Sequence, residues 1–181
     1  REPRGPASDW PGLDGLPVLA KADLRAEPPG VLPGTRGRVL TTRTSGSTGA
    51  PMVFHRSATQ ESWFWALRFR IWSWGGYEPG DPYVEINLNA RDAWKKRLQD
   101  LLFRCAYLTG NTDTQDNERL ADALRSRGGP FLNGFSSSLY VLARHLEERG
   151  ETIPLVGIAP TGDTLFQPWR ESIERVFKVR A

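Results

Sequence analysis

The chain has 181 residues, a single cysteine and a formal net charge of +3, from 24 basic and 21 acidic residues spread along the sequence. One cysteine excludes an intramolecular disulfide and a thiolate metal cluster, and two widely separated histidines do not indicate a zinc site. With no basic run to follow nucleic acid and no stretch of about 20 apolar residues to span a membrane, we expect neither partner and take the cytoplasm as the default location.

The first 38 residues are rich in proline and glycine, and we expect them to form an extended segment with a short helix. The chain begins with Arg1 rather than methionine, so we expect it to be a segment of a longer protein. From residue 39 onward, strand and helix patterns alternate. Residues 39–181 therefore predict an α/β domain, a layered sheet with flanking helices.

Residues 42–51 read Thr-Arg-Thr-Ser-Gly-Ser-Thr-Gly-Ala-Pro between two apolar runs, which predicts a loop between two strands. Gly46 and Gly49 can adopt positive φ and turn backbone N–H groups inward, while Ser45, Ser47 and Thr48 add hydroxyl donors. Such a loop suits a bound phosphate. A plain surface turn is the alternative, and no Gly-Lys-Ser/Thr follows that would indicate a Walker loop.

A helix is expected next, because Ser57 and Gln60 have the spacing of a capping box and Gly75-Gly76 marks an end after Trp74. The remaining elements follow from caps, turns and hydrophobic periodicity. In order, they are a strand at 83–88, helices at 92–105 and 117–127, the second capped by Asn117, a brief strand at 131–132, a helix capped by Ser136, a strand at 155–159 and a helix at 169–177.

Aromatic residues crowd the first of these helices, and Trp65, Phe69 and Trp72 share one face at helical spacing. We favour packing of this face against the sheet. Two alternatives stay open, an exposed aromatic groove that meets another domain and one wall of an aryl-substrate pocket. Stacking on nucleic acid would need a basic groove, which the sequence does not contain.

The loop motif Ser-Gly-Ser-Thr-Gly-x-Pro resembles the phosphate-binding signature of the adenylate-forming enzymes, the acyl-CoA and aryl-CoA ligases and their relatives. Residues 16–25 resemble an entry segment of the phenylacetate-CoA ligase-like branch, which includes ligase-like proteins of capsular polysaccharide gene clusters. Residues 133–143 are similar to a further segment of that branch, with Phe135-Ser136 in place of its usual Tyr-Pro. The likeness covers most of the chain from residue 16.

This resemblance implies the N-terminal part of an ATP-dependent ligase that converts a small carboxylic acid into an acyl-adenylate and passes the acyl group to a thiol such as coenzyme A. ATP, Mg²⁺ and coenzyme A are the implied cofactors, and the C-terminal portion of the same enzyme is the implied partner. No catalytic residue can be named, and the segment alone is expected to be inactive. The implied nucleotide-binding residues are Thr44, Ser45, Gly46, Ser47, Thr48, Gly49 and Asp163.

Asp163 ends a Thr-Gly-Asp sequence that spells a ribose-binding motif of the family, but it comes too early in the chain for that role. Residues 158–165 better resemble a strand-end loop that lines the adenine side of the nucleotide site, where the branch usually has glutamate. The alternative for Asp163 is the N-cap or first-turn acid of the helix at 169–177.

The chain also departs from the family's pattern. Met52 stands where many of these ligases place a lysine that can meet phosphate, and the Tyr-Gly-x-x-Glu motif, whose acid helps to hold Mg²⁺, would come only after Ala181. The alternative function is therefore a non-catalytic remnant of the ligase fold that serves as a binding or scaffold module in polysaccharide biosynthesis.

Overall fold

The computed structural model describes residues 38–43, 52–87, 98, 100–109 and 114–181. The chain divides into two compact units, Arg1–Phe64 and Trp65–Ala181. The predicted boundary between residues 38 and 39 stays a prediction. In chain order the elements are β1 (Val39–Arg43), β2 (Val53–Ser57), α1 (Ala58–Trp74), β3 (Tyr83–Asn87), β4 (Cys105–Thr109), α2 (Thr114–Arg125), β5 (Phe131–Phe135), α3 (Ser136–Glu148), β6 (Gly157–Thr161) and α4 (Gln167–Phe177).

The strands of the first unit pair in antiparallel fashion, with Val39 opposite Ser57 and Arg43 opposite Val53. The predicted capping box follows the second strand directly. The Gln60 amide N–H donates to Ser57 Oγ at 3.1 Å, and the Ser57 N–H donates to Gln60 Oε1 at 2.8 Å. Each side chain satisfies a backbone group that the first turn of a helix leaves open, so α1 begins where the sequence predicts.

The end of α1 is also as predicted. The Gly75 and Tyr77 amides both donate to the Trp72 carbonyl, at 2.9 and 3.2 Å. Gly76 has a φ of 93°, a left-handed conformation that costs glycine little, and it turns the chain out of the helix.

The second unit contains a parallel sheet with the strand order β4-β3-β5-β6. Parallel neighbours need crossover connections, and α2 and α3 supply them before and after β5. The first four residues of β3 are all buried, as expected of an inner strand that is covered on both faces. The predicted α/β class, a layered sheet with flanking helices, is confirmed.

Two apolar cores lie on opposite faces of the sheet. Val84, Ile86 and Leu132 point to one face, where they pack with residues of α2, α3 and α4 such as Leu120 and Leu142. Alternate residues of the same strands point to the other face and form a smaller, aromatic core with the end of α1. This second core contains Trp72, Tyr77, Tyr83 and Phe131, with Phe69, Cys105 and Ala159 packed against it.

The strand β4 differs from the prediction, which extended a helix through Cys105. Cys105 instead begins β4, and this strand pairs in parallel with β3. Arg104 has a φ of 51°, so the backbone leaves the helical conformation immediately before the strand. The strand is only five residues long, and a short apolar run of this kind fits a buried helix segment as well as a strand.

Several boundaries also differ from the prediction. α2 begins at Thr114, so Asn117 is a buried residue inside the helix and not its cap. Ser136 opens α3, but Phe135 takes the N-cap position and makes no side-chain capping bond. Strand β5 is longer than the predicted 131–132, β6 runs from Gly157 to Thr161 in place of 155–159, and α4 begins at Gln167.

The predicted packing of the α1 aromatic face is confirmed for Trp72, which is 3% exposed and contacts Tyr83 and Phe131 at ring-centroid distances of 5.1 and 5.0 Å. Trp65 and Phe69 are half-buried beside it. The other side of α1 carries apolar residues that are exposed. They are Trp63, Phe64, Leu67, Ile71 and Trp74.

Gly157 lies where β6 and the end of α1 approach each other. A Cβ atom at this position would overlap the carbonyl oxygen of Gly75 and lie 2.8 Å from Phe131 Cε2. We therefore expect Gly157→Ala to lower the free energy of unfolding by about 3 kcal/mol, the upper part of the usual range for overpacking. Urea unfolding measures this loss. Gly75→Ala is the matched control, since the nearest atoms to its Cβ lie at 3.4 Å. Equal losses in the two variants would contradict the packing described.

Candidate functional site

The hairpin of the first unit holds the ends of the predicted phosphate loop. Arg43 pairs with Val53, so the intervening sequence connects two antiparallel strands. This confirms the predicted order of strand, connection and strand. The predicted nucleotide-binding residues of this connection lie outside the described residues, and their role stays a prediction. They are Thr44, Ser45, Gly46, Ser47, Thr48 and Gly49.

Side chains as well as backbone bonds link the two strands. Thr41 Oγ1 lies 3.3 Å from His55 Nδ1, and Arg56 donates to Thr42 Oγ1 at 3.0 Å. The same arginine forms an ion pair with Glu61 at 3.1 Å. The strands that enter and leave the connection are therefore tied together by side-chain contacts at successive positions.

The carboxyl edge of the parallel sheet is the second candidate region. Strand β4 lies on one side of β3 and β5 lies on the other, so the order of the strands reverses beside β3. Open α/β sheets bind ligands outside the carboxyl ends of their strands at such a switch point. The residues that end β3, β5 and β6 at this edge are Asn87, Phe135 and Thr161.

Asp163 lies just beyond this edge, in the loop after β6. Its carboxylate accepts hydrogen bonds from the first two amides of α3, the Ser136 N–H at 2.6 Å and the Ser137 N–H at 3.1 Å. The Ser136 hydroxyl donates in return to the Asp163 backbone carbonyl at 3.1 Å. Asp163 thus caps α3, supplying the acceptors that Phe135 at the N-cap position cannot provide.

This contact corrects the alternative that the sequence analysis left open. The helix that Asp163 caps is α3, and not the helix that follows it in the chain, whose N-cap is Phe166. Periodicity and local spacing could not show this, because the bonded residues are 27 positions apart. The predicted contact of Asp163 with a nucleotide stays a prediction.

The negative charge of Asp163 is favoured where it lies. Burial alone would raise the pKa of this carboxyl group, but hydrogen bonds from the hydroxyl and amide of Ser137 and from Ser136 outweigh that effect. The pKa of Asp163 is therefore lowered from its ordinary value of 3.8. The positive end of the α3 dipole acts in the same direction.

Gly162 gives the loop a second point of attachment. It has a φ of 84°, which an L side chain rarely adopts, and a Cβ atom would overlap the aromatic ring of Phe135. Phe135 in turn pairs with Thr161 across the two strands. The end of β5 and the loop after β6 are therefore packed together at a position that only glycine fits.

A buried ion pair lies on the aromatic face of the same sheet. Arg68 of α1 stands between two indoles, with its guanidinium carbon 5.1 Å from the Trp65 centroid and 4.5 Å from the Trp72 centroid. Its Nη2 atom lies 3.2 Å from Glu85 Oε2, and the side chain of Glu85 is 9% exposed. The sequence pattern did not predict this pair.

Asn133 extends the ion pair across the sheet, because it is the register partner of Glu85 on β5. With its amide oxygen turned toward the guanidinium, it accepts from Arg68 Nη2 at 2.8 Å and donates to the Ala159 carbonyl at 3.3 Å. One arginine therefore connects α1 to β3 and β5. The sequence feature that could have indicated the pair is an acid between the apolar residues of β3. Once both faces of the sheet are covered, such an acid needs a cationic partner.

Within the described ranges, no three His, Cys, Asp or Glu side chains are arranged to hold a metal ion. Among the helices of these described ranges, none is both long enough and apolar enough to cross a membrane.

Comparison with protein-family models finds no match, and comparison with curated proteins finds none either. Among solved structures, the chain is similar to 2-hydroxyisobutyryl-CoA ligase in three states. These are an open conformation with 2-HIB-AMP and CoA (TM-score 0.61, 19% identity), the thioesterification state with 2-HIB-AMP and CoA (0.59, 22%) and the postadenylation state with R3-HIB-AMP (0.61, 19%).

The alignments cover 91%, 90% and 91% of this chain, but only 38%, 37% and 37% of the respective ligase chains. The chain thus spans less than two-fifths of the length of the structures it matches. At these identities the likeness concerns the fold. The chain has the mixed α/β fold of a fragment of an adenylate-forming enzyme domain.

Proposed function

We propose that this chain is the N-terminal, nucleotide-binding part of an ATP-dependent ligase that activates a small carboxylic acid as its acyl-adenylate. The observation that carries the proposal is the match of nine-tenths of the chain to a CoA ligase whose structures hold 2-HIB-AMP or R3-HIB-AMP. The Ser/Thr/Gly-rich sequence between the antiparallel strands β1 and β2 supports it as well, because such a sequence suits a bound phosphate.

In the proposed reaction, an oxygen of the acid's carboxylate attacks the α-phosphorus of ATP and pyrophosphate leaves. A thiol such as that of coenzyme A then attacks the carbonyl carbon, and AMP leaves. Nucleotidyl transfer depends mainly on positioning and on stabilising negative charge. The hydroxyl and N–H donors of residues 44–49 would hold the β- and γ-phosphates, a task that needs no proton transfer by the protein.

Mg²⁺ would neutralise part of the phosphate charge when bound. The described residues offer no cluster of three ligands, so we assign none of them to it. The remaining features of the proposal follow the resemblance seen in the sequence. They are the phenylacetate-CoA ligase-like branch, a role in polysaccharide biosynthesis, a cytoplasmic location, the boundary between residues 38 and 39, and a C-terminal portion of the enzyme as partner.

Titration calorimetry of ATP with Mg²⁺ against the chain tests the proposal. We expect a measurable binding heat, and an affinity at least about tenfold weaker in the triple variant Gly46→Ala, Ser47→Ala, Thr48→Val, which loses two hydroxyl donors to a charged ligand and the backbone freedom of Gly46. The double variant Thr59→Ala, Ser62→Ala is the control, because it removes exposed hydroxyls from α1 and should bind ATP like the original chain.

Equal affinities in the original chain and the triple variant would remove the loop from the proposed site. Pyrophosphate release by the full-length gene product, measured with aryl, fatty and hydroxy acids, tests the reaction itself. Absence of release with every acid would contradict a catalytic role.

A further inference from the structure

The loop after β6 is attached to the rest of the unit by unusually specific contacts. Both carboxylate oxygens of Asp163 accept amides of α3, and its backbone carbonyl accepts the hydroxyl of Ser136, which is 1% exposed. Gly162 packs on the ring of Phe135, at the end of the neighbouring strand. The loop lies at the carboxyl edge of the sheet, where α/β proteins bind ligands.

We propose that Asp163 is a positioning residue of the nucleotide site, which fixes the backbone of residues 161–164 against α3 and does not itself contact the nucleotide. This inference rests on the proposed function. It replaces the direct nucleotide contact that the sequence resemblance implies with an indirect role.

The geometry supports the indirect role because the carboxylate is already engaged. Its two oxygens point at the amides of Ser136 and Ser137, at 2.6 and 3.1 Å, so a contact with a ligand would compete with the cap of α3. Thr161 and the backbone of the loop are exposed beside it and carry no charge. Because a nucleotide is an anion, it binds these neutral groups more favourably than it would bind the Asp163 carboxylate.

Amide hydrogen exchange of the ligand-free chain tests the cap. In Asp163→Ala we expect exchange at Ser136 and Ser137 to become about fivefold to tenfold faster, as loss of an N-cap predicts. Asp163→Asn keeps only one of the two acceptor oxygens and places an NH2 donor at the other position, so we expect it to protect one amide and to expose the other to faster exchange. Asp122→Ala, which removes an exposed acid from α2, is the control and should leave both amides unchanged.

Calorimetry with ATP and Mg²⁺ then separates positioning from contact. We expect Asp163→Ala to weaken ATP binding about fivefold to tenfold and Asp163→Asn, which keeps one of the two acceptors, to restore part of it, in parallel with the exchange rates. If Asp163→Asn protects one of the two amides but binds ATP as weakly as Asp163→Ala, the carboxylate contacts the nucleotide and the inference is overturned.

Gly162→Ala tests the same idea with Asp163 intact. The added Cβ atom would overlap the Phe135 ring, so the loop must move and ATP affinity should fall as it does in Asp163→Ala. Gly150→Ala is the matched control, since Gly150 also has a positive φ, of 66°, but has no atom within 4 Å of its Cβ position. Unchanged ATP affinity in Gly162→Ala would overturn the inference.

The pH dependence gives a further check. Because the pKa of Asp163 is lowered in the folded state, the stability that its charge contributes is complete above the ordinary value of 3.8 and is lost as the pH falls through the lower folded value. The stability difference between the original chain and Asp163→Asn should therefore shrink over that acidic range. A constant difference would overturn the assigned contact.

Failure of the proposed function would look different from failure of this inference. An original chain that binds no ATP contradicts the proposed function, and with it the nucleotide-positioning role. Unchanged exchange at Ser136 and Ser137 in Asp163→Ala contradicts the positioning role whether or not ATP binds.

Discussion

Replacement of Arg68 by methionine is expected to lower the free energy of unfolding by about 3–5 kcal/mol, since it leaves a buried carboxylate without its charge partner. The side chains of Arg68 and Glu85 are only 17% and 9% exposed, so water can do little to solvate the remaining charge. In the same variant, the amide oxygen of Asn133 no longer has the Arg68 N–H that donates to it. Urea unfolding followed by circular dichroism measures the loss.

The double variant Arg68→Met, Glu85→Leu shows whether the cost comes from the unpaired charge. Apolar residues of similar volume can replace a buried ion pair with little loss, so we expect the double variant to recover most of the stability. Arg70→Met is the matched control on the same helix, because Arg70 is exposed and should cost less than about 0.5 kcal/mol. A double variant as unstable as the single one would show that the aromatic packing around Arg68, and not its charge, is what matters.

Trp72→Ala is the second substitution with a large expected effect, a loss of about 3–5 kcal/mol, as is usual when a buried tryptophan becomes alanine. The Trp72 ring contacts Phe69, Tyr77, Tyr83 and Phe131 at centroid distances of 5.9, 5.3, 5.1 and 5.0 Å. The truncation would open a cavity between α1 and the sheet. It would also remove one of the two rings that flank Arg68.

Trp74 provides the comparison, since it is the same residue type two positions later on the same helix and is 73% exposed. Trp74→Ala should change the free energy of unfolding by no more than about 0.5 kcal/mol. Urea unfolding measures the stability of both variants. Acrylamide quenching, compared with that of the original chain, reports whether the tryptophan that each variant lacks was exposed. Similar losses of stability in the two variants would contradict the packing of α1 against the sheet through the face that carries Trp72.

The features that could be predicted from the sequence are those with local causes. The capping box of Ser57 and Gln60, the glycine stop after Trp74 and the antiparallel strands around the phosphate-loop sequence all depend on residues close together in the chain. The α/β class followed from the alternation of strand and helix patterns. Local rules suffice for such elements because the atoms that form them are neighbours in sequence.

The features that could not be predicted depend on contacts distant in sequence. β4 is a strand because β3 pairs with it, while its own five residues are ambiguous. Glu85 reads as the outward residue of an alternating strand until α1 covers that face. Asp163 reads as the cap of the next helix until the sheet brings it to α3. In each case tertiary contacts determine the structure, because the local sequence pattern is compatible with more than one interpretation.

The cap of α3 has a consequence for the order in which the unit folds. Most helices receive their first acceptor from a residue immediately before them, whereas α3 receives it from a residue 27 positions later. A chain emerging from the ribosome can form the body of this helix early, but its first turn is complete only once β6 has joined the sheet. Closure of that long segment thus couples formation of the helix to assembly of the sheet, making the two cooperative.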